Sequence, residues 1–102
     1  MGIELNATDD TELTEPQQQI LQTMLRAFNV MLEREKVYGS AWTRYGLPDK
    51  VLHCRDIINR IEHITAHASL EGEPIKKLED LFLDLVNYSA MGAIQTAQGR
   101  FS

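Results

Sequence analysis

The chain has 102 residues, 43% of them apolar and 25% charged, and carries a formal net charge of −5. That is one small domain of ordinary globular composition; it excludes wholesale disorder and, through its negative charge, a general grip on a nucleic-acid backbone. Its apolar runs are too short and too broken by charge to span a bilayer. Cys54 stands alone, which excludes a disulfide framework and a cysteine zinc site, so a reducing, cytoplasmic setting is expected.

In chain order, residues 1–13 are polar, acidic and aperiodic, which predicts a flexible tail without the basic start and apolar stretch of a signal peptide. The first helix is predicted to begin at Thr14, whose spacing to Gln17 fits a capping box, with Pro16 tolerated in the first turn. Ile20, Leu21, Met24, Leu25, Phe28, Met31 and Leu32 then recur at helical spacing, and Gly39 suits the stop. A connection over 39–48 closes at Leu47-Pro48-Asp49. The second helix follows, with Val51, Cys54, Ile57, Ile58, Ile61 and Ile64 as its apolar stripe.

Gly72 and Pro74 mark the next boundary, and the third helix is expected from about Pro74 to Gln98, with Gly99 ending it. Its apolar residues, from Ile75 through Leu81, Phe82, Leu83, Leu85 and Val86 to Ile94, cover more than one narrow stripe, so it needs neighbours on several sides. The expected fold is all-α: a single helical domain over 14–102, three main helices in a small bundle completed by homo-oligomerisation. The alternative is a compact monomer centred on the third helix.

Charge is unevenly spread. Residues 1–15 hold five acids and no base, whereas 34–60 hold six bases (Arg34, Lys36, Arg44, Lys50, Arg55, Arg60) against three acids. That excess is either a solvated face with pairs such as Asp56–Arg60 or a site for an anion. A magnesium site for triphosphate hydrolysis needs several inward carboxylates, and only Asp80 and Asp84 stand one turn apart within the apolar helix. The all-α pyrophosphohydrolases carry paired E-x-x-E and E-x-x-D motifs, and no matched set occurs within the helical stripes here. His63 and His67, one turn apart, lack the H-E-x-x-H pattern of a zinc protease. No Gly-rich phosphate cradle follows a strand, and nothing marks Cys54 as an activated nucleophile.

The aromatic–basic grouping remains. Tyr38, Trp42 and Tyr45 lie within eight positions, interleaved with Arg44 and followed by Arg55 and Arg60. Indole and phenol rings offer stacking faces to a nucleobase, and arginine grips phosphate oxygens with two parallel hydrogen bonds. Asp84 or Asn87 would read a base edge or a ribose hydroxyl from the third helix. The competing use of such rings is a hydrophobic lid over helix ends.

Three ordered elements, Tyr38-Gly39-Ser40-Ala41-Trp42, Asp56-Ile57-Ile58-Asn59-Arg60-Ile61 and Asn87-Tyr88-Ser89-Ala90-Met91-Gly92-Ala93-Ile94-Gln95, resemble the nucleotide-modification-associated domain family over roughly residues 30–95. The resemblance implies a helical domain from a phage-like setting, linked to nucleotide or base modification, with Tyr38, Gly39, Trp42, Arg60, Asn87 and Tyr88 as matching pocket positions. The candidate ligand residues are therefore Tyr38, Gly39, Trp42, Arg44, Arg55, Arg60, Asp84, Asn87 and Tyr88. The expected function is non-catalytic binding of a nucleotide-type small molecule, including sequestration of a nucleotide-derived host signal in phage counter-defence, with no cofactor. One alternative is a pyrophosphohydrolase using Mg2+ on Asp80 and Asp84; another is a protein-interaction module.

Overall fold

A computed structural model describes residues 12–102. Three α-helices and one short 3-10 turn follow in order: α1 (Glu15–Tyr38), η1 (Ala41–Arg44), α2 (Leu47–His67) and α3 (Glu73–Ala97). The all-α expectation holds. Most of the tail expected over 1–13 lies outside the described residues.

The helix ends follow local chemistry. Thr14 caps α1 reciprocally: its Oγ1 accepts from Gln17 N at 3.3 Å, and its own N–H donates to Gln17 Oε1 at 2.9 Å. At the other end Gly39 takes φ 62, a value that side chains with a Cβ rarely adopt, and its N–H closes on Glu35 O at 2.8 Å. α2 starts with Pro48 in its first turn and α3 with Pro74. α3 ends in a Schellman motif: Gly99 at φ 70 donates to Thr96 O at 3.1 Å, and Arg100 N reaches back to Gln95 O at 2.9 Å.

α3 is the centre. It packs against both α1 and α2, which scarcely meet each other. Among the described residues the buried apolar side chains are Ala27 from α1, Ile57 from α2 and Leu81 and Leu83 from α3. Buried Lys50 and Gln95 add polar contacts, described below. The α1 positions that the periodicity marks as a core face are largely left outside, with Ile20, Met24, Leu25, Phe28 and Leu32 all exposed.

Candidate ligand-binding slot

The C-terminal end of α1, the η1 turn and residues 87–91 of α3 border a half-open recess of about 260 Å³. Met31, Arg34, Glu35 and Tyr38 line it from α1, Ala41 and Trp42 from η1, and Asn87, Tyr88 and Met91 from α3, with Gly39 at the bend. Three aromatic residues from three different elements, Tyr38, Trp42 and Tyr88, thus line one recess.

The loop bearing Trp42 is held from beneath by buried polar groups. Gln95, wholly buried on α3, donates through Nε2 to Tyr45 O at 2.8 Å and to Trp42 O at 3.3 Å. Lys50, also buried, donates to Tyr45 O at 3.1 Å and to Asp49 Oδ2 at 2.8 Å. These bonds satisfy carbonyls at the end of a turn too short to satisfy them itself. The indole N–H of Trp42 points at Glu35 Oε1, 3.4 Å away.

On α3, Asn87 donates through Nδ2 to Ala27 O at 2.8 Å, tying the helix to the middle of α1. Asp84 Oδ1 lies 2.8 Å from Arg34 Nη1, close enough for an ion pair, though the alignment is not that of a hydrogen bond. Tyr88 stacks on His53, ring centroids 4.5 Å apart and planes within 12°. Burial raises the Tyr88 phenol above its ordinary pKa of 10.0; Arg34 opposes the rise, and Asp84, Asp49 and Cys54 add to it. Tyr88 also lines a shallow, mostly apolar groove with Leu47, Lys50, Val51, Cys54, Arg55 and Gly92 on its α2 side.

Of the candidates named from sequence, Tyr38, Gly39, Trp42, Asn87 and Tyr88 come together in the recess. Arg44, Arg55, Arg60 and Asp84 are not among its lining residues. Arg55 faces the α2–α3 groove, and Arg60 pairs with Asp56 at 3.0 Å along α2, the solvated-face arrangement. Arg44 is exposed on η1, two residues beyond Trp42. The guanidinium at the recess belongs to Arg34, which the sequence offers only as part of a basic excess.

Of the two carboxylates offered for hydrolysis, Asp84 lies beside Arg34 and Asp80 is exposed; the neighbouring Glu79 is tied to Arg26. Among the described residues no three His, Cys, Asp or Glu side chains converge as a metal site. His63 and His67 contact one another at 4.7 Å between ring centroids. No helix of the described residues is long and apolar enough to cross a membrane.

The sequence does not single out Gln95, and it offers Lys50 only as part of the basic excess, because both types usually read as surface. Register is the signal that finds them: Gln95 falls seven residues after Tyr88 and fourteen after Leu81, and Lys50 seven before Ile57.

No family model, curated protein or solved structure matches the chain. The family resemblance rests on the three ordered motifs alone.

Proposed function

We propose that this chain binds a nucleotide-type small molecule without transforming it, taking a planar ring into the slot between Tyr38, Trp42 and Tyr88. What supports the reading is the convergence of those rings on one small recess whose loop is fixed by buried hydrogen bonds. A preordered slot spares a ligand the cost of arranging its walls. Its volume, about 260 Å³, suits a ring system better than a whole nucleotide.

Charge sets how the ligand lies. Arg34 is offset by Asp84 beside it, and Glu35 adds a further carboxylate at the recess, so the interior does not favour a phosphate. Glu35 instead offers an acceptor for an exocyclic amino group of a base. The phosphate end projects outward, where Arg44, without an ion pair among the described residues, stands close in sequence to Trp42. The residues at the recess supply rings, an amide and a guanidinium, and binding without turnover fits carriage or sequestration.

Calorimetric titration against nucleotides, cyclic dinucleotides and ADP-ribose derivatives tests the proposal. Saturable heat with at least one amino-bearing base is expected, and Trp42→Ala should weaken that affinity roughly 5- to 150-fold, the loss of one stacked base. Silence across the panel, or release of pyrophosphate from a triphosphate, contradicts it.

A further inference from the structure

We infer that the uncovered face of α1 is the interface with a second copy of this chain, the two α1 helices lying antiparallel across a two-fold axis. Leu21, Leu25, Phe28 and Leu32 follow one another at steps of four, three and four, the spacing of a helix–helix seam. Leu25, Phe28 and Leu32 are exposed, and Leu21 is half-buried. Inside its own chain α1 packs against α3 through a different side, where Ala27 is buried about a third of a turn round the helix from the middle of this row.

Three observations single out a second copy as the occupant. The spacing reads the same from either end, so a two-fold axis between residues 26 and 27 sets Leu25 against Phe28 and Leu21 against Leu32, each contact occurring twice. Residues 16–25 carry no charge, so two chains of net charge −5 can approach along this stretch without like-charge contacts. Arg26, at the midpoint, is drawn off the seam by its pairing with Glu79. Finally, five large apolar side chains of α1, Ile20, Met24, Leu25, Phe28 and Leu32, stay between 40% and 61% exposed, an apolar surface that a second helix would take out of water.

The test is sedimentation velocity on the full chain, alongside a Leu25→Asp/Phe28→Asp variant whose helical content is checked by circular dichroism. A species of twice the 11.6 kDa chain mass, reduced to a monomer in the variant with helicity kept, is expected. Spin labels at Gln18→Cys in a Cys54→Ala background should then sit about 25 Å apart or more along the helix direction, given ~1.5 Å rise per residue. A monomer at high concentration overturns the inference, as does a dimer indifferent to the double substitution, which would place the contact elsewhere. A monomer that unfolds on the same substitution puts the seam under its own chain and also overturns it. Labels about 10 Å apart, the spacing of parallel neighbours, rule out the antiparallel arrangement.

Discussion

Gln95 donates to two main-chain carbonyls on the turn that carries Trp42, and it does so from full burial. Removing a buried donor leaves its acceptors without compensation, which costs about 1–3 kcal/mol. Gln95→Leu should therefore lower the urea midpoint and shift the emission of Trp42, the single tryptophan, as η1 loosens. Unchanged emission would mean that Lys50 holds the turn without Gln95. Tyr88 carries a different signature. Its folded pKa lies above 10.0, so the neutral phenol is the form that folding favours. That contribution is fully present below pH 10 and is lost as pH rises through the folded value. Tyr88→Phe should accordingly remove part of the alkaline fall in stability, and 13C NMR of the wild-type ring should show Tyr88 titrating above the model-peptide pH. Asn87 shows how one residue type serves two ends. One N–H of its amide ties α3 to Ala27 O, while the residue also lines the recess, its second N–H and its Oδ1 remaining for other partners.

Helix boundaries are legible because their determinants are local. Thr14 and Gln17 meet as the capping box their spacing implies, and Gly39, Pro48, Pro74 and Gly99 punctuate the chain where such residues should. Which face of each helix is covered is less legible. Periodicity in α1 marks a long apolar side, but a small flanking residue, Ala27, is what lets α1 approach α3 and receive Asn87. The basic excess over 34–60 is equally ambiguous until pairing is known: Arg34, Lys36, Lys50 and Arg60 all have carboxylate partners. The start of α2 depends on the end of the chain, a link no local pattern reveals. Gly46 is buried, Leu47 N donates to Arg100 O at 2.9 Å, and a Cβ on Gly46 would meet Arg100 O at 2.8 Å and crowd Ser102 O. Gly46→Ala should thus displace the C-terminal segment and lower thermal stability by about 1–3 kcal/mol, measurable by calorimetry. A variant as stable as the parent would show that this segment gives way at no cost.

At the scale of the molecule, a central α3 flanked by two helices that scarcely meet leaves a small core and much apolar surface. The slot lies where the C-terminal end of α1, η1 and α3 come together, and aromatic residues from all three elements line it. The functional reading depends on that slot admitting a ligand ring beside Trp42. The most direct measurement is the indole N–H resonance of Trp42, a single peak in a two-dimensional 15N spectrum, followed during titration with the nucleotide panel. A ring entering the slot should shift the peak saturably, because it stacks on the indole and disturbs the contact with Glu35. A peak that stays fixed with every compound, or heat of binding without any change at Trp42, would contradict the account.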